Sequence, residues 1–329
     1  MNIHQQKNLV ALLSVFSNGL LVLAKVIIGL LIGSVAVISE GIHSGLDLVA
    51  ALISLFAVRM VRRPADRKHP FGHGKFENIS GTVEALLIFV AAAWIIKEAW
   101  QKILQPEPLG ATGWGVGIML VSCLINIGVS RLLFLVGRKA DSVALQANAW
   151  HLLTDVYTSA GVMFSLLCIW AGKLWLPGTN LDWIDPAAAI AVALLILRAA
   201  WQLTIQSGRD LLDVSLPPEE EGWIRNYLHS LLPAVRGFHD LRTRKAGADR
   251  FIEVHVLVRA DMSVEESHAI TRTISQALRR HFSGHTTVTV YGEPCRGVCP
   301  PDCLQNCQLD AAERERVLDE SRQPKALVP

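Results

Sequence analysis

Six apolar runs, each close to the roughly 20 residues that cross a bilayer as a helix, occupy most of the chain up to Gln206. They fall at about 9–32, 35–58, 79–103, 113–136, 143–170 and 184–206. Such runs leave few folds open. In lipid every backbone N–H and C=O needs an internal partner, so each run reads as a helix and the set as a six-span all-α bundle. The first run is too long for a signal-peptide core and lacks a small-residue cleavage site, so it reads as a retained span. Hydrophobic residues make up 51% of the 329 positions, but the excess ends near Gln206.

Basic residues give the orientation. Arg59, Arg62, Arg63, Arg67, Lys68 and Lys75 follow the second run, and Arg131, Arg138 and Lys139 lie in or after the end of the fourth. The other connections carry almost no Lys or Arg, so both basic loops and both termini are expected in the cytoplasm.

Past Asp213 the period changes. PPEEEGWIRNYLHSLL and SVEESHAITRTISQALRRHF read as amphipathic helices, the second with Ser263 at its N-cap. FHDLRTRKAG, RFIEVHVLV and HTTVTVYGEP read as strands. Together they predict a small α+β layer with helices on one face of a short antiparallel or mixed sheet. The polar stretch from about Leu309 predicts disorder.

Two pairs of residues inside the apolar runs carry the chemistry. His43 and Asp47 in SEGIHSGLDLVAA match the spacing of His151 and Asp155 in AWHLLTDVYTS. Four residues make about one helical turn, so each pair puts an imidazole and a carboxylate on one face. Both groups are costly in hydrocarbon unless they face a partner, a water cavity or an ion. A single intramembrane histidine is commonly a helix-to-helix hydrogen bond, but two matched pairs outweigh that reading. Two such helices face to face offer two nitrogens and two oxygens, a tetrahedral zinc set. The two carboxylates balance a divalent ion, and protons are the natural replacement when it leaves.

A second cluster is Asp66, His69 and His73 in RRPADRKHPFGHGK, where Pro70 and Gly72 can turn the chain back. Loop histidines are usually bystanders; a carboxylate and two imidazoles this close read as a metal site, of low affinity because many cations surround it.

In order and spacing, GSVAVISEGIHSGLD, PADRKHPFGHGKFE, AWHLLTD and GFHDLRTRKAG resemble the cation diffusion facilitator family, from about Leu9 to Pro294. The resemblance implies six spans, a ferredoxin-like, metallochaperone-like cytoplasmic domain, a homodimer and metal–proton exchange. It implies a transport site at His43, Asp47, His151 and Asp155 and a second site at Asp66, His69 and His73. It also implies regulatory zinc ligands at His239, His255 and His268 and at two positions of the last strand, here Tyr291 and Glu293. Glutamate is an acceptable ligand and tyrosine a poor one at neutral pH, so a single-ion site is the expectation. A charge interlock between Lys75 and Asp213 is implied by context.

Cys295, Cys299, Cys303 and Cys307 recur at every fourth position. A cytoplasmic placement favours metal binding over disulfides, and Pro300 and Pro301 favour a wrapped loop over a helix. The expectation is a thiolate-rich zinc site that compensates for Tyr291; the duller reading is a redox-sensitive tail. Cys123 and Cys168 read as small buried hydrophobes. Lys25 takes no role from the pattern beyond snorkelling to the interface.

The chain therefore divides into a transmembrane transport domain at 1–212, a cytoplasmic metal-sensing and dimerisation domain at 213–294, and a Cys-containing, partly disordered tail at 295–329. The expected function is proton-coupled export of a divalent metal, Zn2+ foremost, by a homodimer in a bacterial inner membrane. The nitrogen of His43 favours zinc, with cobalt and cadmium next, over manganese or iron. The alternatives are a transporter of iron, manganese, cobalt, nickel or cadmium, and a membrane-anchored metal sensor or assembly factor. No enzyme is expected, since nucleotide loops, nucleophile elbows and a His-Glu-x-x-His helix are absent. No nucleic-acid partner is expected either.

Overall fold

The computed structural model describes residues 3–32, 35–104, 113–175, 183–282, 285–297 and 301–322; inside the helices the side chains of 35–43 and 162–175, among others, lie outside the description. The chain forms two compact units, Met1–Leu212 and Asp213–Pro329.

The first unit contains α1 (Ile3–Ile32), α2 (Val35–Val61), α3 (Lys75–Leu104), α4 (Gly113–Lys139), α5 (Val143–Trp175) and α6 (Ile184–Leu211). Every helix overruns its apolar stretch, because extending an existing helix adds one hydrogen bond for each residue fixed. Among the described residues four stretches are long and apolar enough to cross a membrane: Ile3–Ile28, Lys75–Gln101, Leu120–Lys139 and Pro186–Leu211. Much of α2 and α5 is outside the described side chains.

Helix α1 packs on α2 and α4, α4 on α5, and α5 on α2, while α3 pairs with α6 alongside. Alanines fill the seams: Ala11, Ala57, Ala144 and Ala149 in one core, and Ala85, Ala92, Ala147 and Ala200 in the other. Small residues let helices approach where apolar association has no aqueous drive. At Gly81 of α3 an added Cβ would stand 2.5 Å from the Ser207 hydroxyl and 2.9 Å from Val143 Cγ1, so only glycine fits. The outer face is apolar instead: Phe16 is 71% exposed, with Leu31, Trp94 and Leu135 also outward.

The second unit runs α7 (Pro218–His229), β1 (Gly237–Ala246), β2 (Asp249–Val258), α8 (Val264–His281), β3 (Thr286–Pro294), α9 (Pro301–Gln305) and α10 (Ala311–Arg322). The sheet order is β1-β2-β3; β1 and β2 are antiparallel, β2 and β3 parallel, so the sheet is mixed. Ser263 caps α8 in a reciprocal capping box with Glu266. Ile252, Val254 and Val256 face a core built with Ile224 and Leu228 of α7, Phe238 of β1, and Ile274 and Leu278 of α8. Strand alternation sends His255 and Leu257 to the opposite face.

That opposite face corrects the expectation for the tail. Residues 301–322 carry α9 and α10 rather than irregular chain. Cys295, Cys303 and Val317 pack on Leu257, the Cys307 backbone bridges Gly237, and the Gln308 N–H donates to the Arg236 carbonyl. The polar composition hid a few apolar anchors whose partner surface is supplied by the sheet.

Candidate metal centres

Helix α5 is held to four neighbours around its first half. The Glu77 carboxylate of α3 accepts the Val143 N–H at 3.0 Å, and Ser54 of α2 donates to the Ala144 carbonyl at 3.0 Å. Asn148 donates to Ser14 of α1 at 3.0 Å, and Ser130 of α4 donates to the Ala149 carbonyl at 3.0 Å. The next turn presents His151. Its Nε2 lies 3.1 Å from Oδ1 of Asp47 on α2, and the residues are only 6% and 4% exposed. Two of the four residues expected to form the transport site thus meet across a helix interface. Asp155, one turn beyond His151, is half-buried. His43 lies on α2 one turn before Asp47, with its side chain outside the described residues. The His151 Nδ1 is buried without a hydrogen-bond partner among the described residues, a donor or acceptor that a polar occupant would use.

Two residues of this region escape a reading by spacing. Lys7 of α1 and Glu77 form a buried ion pair, and the same carboxylate holds the start of α5. The sign in the sequence is a glutamate directly after GHGKF, which reads as surface charge until a helix start is placed against it. Lys25 does not snorkel. It is 3% exposed and donates at 2.7 Å to the hydroxyl of buried Ser44 on α2.

Asp66, His69 and His73 come together between α2 and α3, one ligand atom of each within 4.8 Å of the others. Asp66 Oδ1 accepts the N–H groups of Lys68 and His69 at 2.8 and 2.7 Å. The His69 N–H foremost, with that of Lys68, holds the Asp66 carboxyl below its ordinary value. Gly72, at φ +87°, turns the chain so that His73 Nε2 comes 3.5 Å from Asp66 Oδ2. His73 is buried and the other two are exposed, so the cluster opens to solvent on one side.

In the second unit Glu293 of β3 links two strands. Its Oε2 lies 3.1 Å from His239 Nε2 and its Oε1 2.7 Å from His255 Nδ1. His239 and His255 are register partners. Asp240 joins them within 4.8 Å, a residue that strand alternation would send to the other face. The register slips between His239 and Arg242, and Asp240 has φ +50°, so an irregularity in β1 turns its carboxylate toward the histidines. His268 is exposed on α8 and lies outside this grouping. The Tyr291 ring stands 4.8 Å from that of His255, as a neighbour in register.

The cysteines depart from expectation. Cys295 and Cys303 are buried in the apolar cluster beneath α10, and Cys307 is half-buried. Cys299 lies outside the described residues. Among the described residues no cysteine belongs to a group of three metal-capable side chains. Lys75 donates to the Leu211 carbonyl at 3.5 Å inside the first unit, and Asp213 accepts from Arg244 at 3.3 Å inside the second.

Comparison with known proteins gives two family matches: a cation efflux transmembrane domain over residues 11–212, and the cytoplasmic domain of cation efflux proteins over residues 216–295. The uncharacterized transporter sll1263 of Synechocystis is 34% identical over 266 residues, 80% of this chain and 82% of the relative. The cation-efflux pump FieF of Klebsiella pneumoniae is 31% identical over 262 residues, 80% of this chain and 84% of the relative. A solved structure of CzrB in a Zn form is 40% identical over 24% of this chain and 90% of that one, with a TM-score of 0.23.

Proposed function

Since this chain belongs to the cation efflux, or cation diffusion facilitator, family and is therefore an integral membrane transporter of divalent cations and not an enzyme, we propose that its cargo is Zn2+, exported from the cytoplasm in exchange for protons. The observation that carries the reading is the buried contact between His151 and Asp47 across α5 and α2. With Asp155 one turn on and His43 one turn before Asp47, it supports a four-ligand transport site of two nitrogens and two oxygens. The two carboxylates neutralise the ion. Without it, their like charges in a poor solvent favour taking up a proton, which couples the two fluxes.

In the same proposal α1 to α6 all span the bilayer, with both termini in the cytoplasm of a bacterial cell and the protein working as a homodimer. Asp66, His69 and His73 form a low-affinity station at the cytoplasmic mouth. His239, His255 and Glu293, with Asp240, form a single-ion sensing site; His268 joins it only if α8 or a second copy brings it near. Lys75 and Asp213 form the interlock between membrane and cytoplasmic parts in this scheme.

The test is metal flux in sealed vesicles under an imposed proton gradient, with several divalent ions in competition. Zinc is expected to rank first and each turnover to move protons the other way, read by an internal pH dye. His43→Asp replaces a nitrogen with a harder oxygen and is expected to move the ranking toward iron or manganese. Zinc flux without proton counter-flow would refute exchange, and an unchanged ranking would place selectivity elsewhere.

A further inference from the structure

Lys25 lies within the span Ile3–Ile28 and is almost fully buried. An ammonium there is costly unless negative charge compensates it. Its bond to Ser44 fixes its position but brings no charge. Ser44 sits three residues before Asp47 on α2, and residues so spaced are neighbours on one helix face, about 5–6 Å apart at Cβ. Among the described side chains of α1, α2, α4 and α5 the carboxylates are Asp47 and Asp155. Both are ligands in the transport site proposed above, on which this inference rests.

We infer that Lys25 is a resident cation of the transport site, a positioning residue whose Ser44-held ammonium offsets the charge of Asp47 and Asp155 and opposes the metal. When the site is empty, the ammonium balances one carboxylate and lowers the cost of keeping both in a poor solvent. When the divalent ion arrives, three positive charges meet two negative ones, and the surplus loosens the ion. Transport requires binding weak enough to leave, and a fixed cation supplies that weakness without removing a ligand.

The experiment is zinc flux in sealed vesicles at alkaline pH, where proton competition is smallest, with KM and kcat measured separately. Lys25→Met keeps the stem and removes the charge. It is expected to lower KM by about tenfold or more, the scale of removing a unit charge near a divalent ion at an effective dielectric of about 20. The turnover number is expected to fall as release slows, and Lys25→Arg to stay near wild type. A KM for Lys25→Met that is unchanged or raised overturns the inference, since a mere packing pin would weaken the site when lost. If Lys25→Met gives no flux, equilibrium zinc binding decides, measured with His69, His73, His239 and His255 replaced by alanine. Tighter binding supports the inference and equal or weaker binding overturns it. If Lys25→Met does not fold, Ser44→Ala carries the test: freeing the ammonium is expected to lower KM by a smaller factor, and an unchanged KM overturns it. Asp47→Ala in the same vesicles separates the two readings. Normal flux there removes the transport site itself, whereas lost flux with wild-type kinetics in Lys25→Met removes only the role of Lys25.

Discussion

The two units place the same ligand chemistry in opposite solvents. In Met1–Leu212 the apolar residues Phe16, Leu31, Trp94 and Leu135 face outward, and Lys7, Asn18, Lys25, Asp47, Asn148 and His151 are buried. In Asp213–Pro329 the core is Ile224, Phe238, Ile252, Val254 and Leu278, and the histidines and Glu293 lie on the sheet's other face, partly open to water. Water stabilises charge in the second unit, so His239, His255 and Glu293 can wait for an ion at little cost. The first unit has no such reserve. Asp47 and His151 must be held by α5's ties to its neighbours, and their charge must be matched by an ion, a proton or a resident cation. A carboxylate there governs transport, whereas in the second unit it tunes binding.

The sharpest break of this comparison is to remove one carboxylate from each unit. Asp47→Ala is expected to abolish zinc flux while leaving membrane insertion intact. Glu293→Ala is expected to leave basal flux measurable and weaken zinc binding by the second unit, read by calorimetry. Equal losses of flux would erase the distinction drawn between the two sites.

Next comes the buried ion pair. Glu77→Ala leaves Lys7 without its carboxylate and frees the start of α5, and is expected to cost about 3–5 kcal/mol in unfolding from detergent. Lys7→Met combined with Glu77→Gln removes both charges and is expected to recover most of that loss. A single variant as stable as wild type would mean that water reaches the pair.

Gly81→Ala probes the helix seam. The new methyl meets Ser207 and Val143, and overpacking of this kind costs roughly 1–3 kcal/mol. Gly81→Ala with Ser207→Gly reopens the space and is expected to restore thermal stability.

The smallest effect belongs to the second unit's cap. Ser263→Ala is expected to cost about 1 kcal/mol near neutral pH. The N–H and hydroxyl of Ser263 hold Glu266 below its ordinary value. A depressed carboxylate stabilises the fold above its unfolded value, and that contribution is lost as pH falls through the folded one. The gap between Ser263→Ala and wild type should therefore narrow in acid, which urea unfolding at two pH values would check. A constant gap would mean that Glu266 takes no part.

Sequence alone determined the elements of both units, because period and length act locally. The start of every apolar run after the first coincides with the start of its helix or precedes it by a few residues inside, and the three strands fall on the segments read as strands. The pairing of Asp47 with His151 was legible because two identical spacings on two helices have one face each to offer. Only the tertiary structure decided where Lys25, Glu77 and Asp240 point. A lone lysine or glutamate carries no period, and an irregularity in one strand breaks the alternation on which such a reading depends. The tail was decided the same way: Cys295, Cys303 and Val317 are too sparse to announce a core, and become one because Leu257 lies across from them. Local periodicity writes helices and strands into the chain, whereas the partner of a single buried charge or thiol is fixed only when distant segments meet.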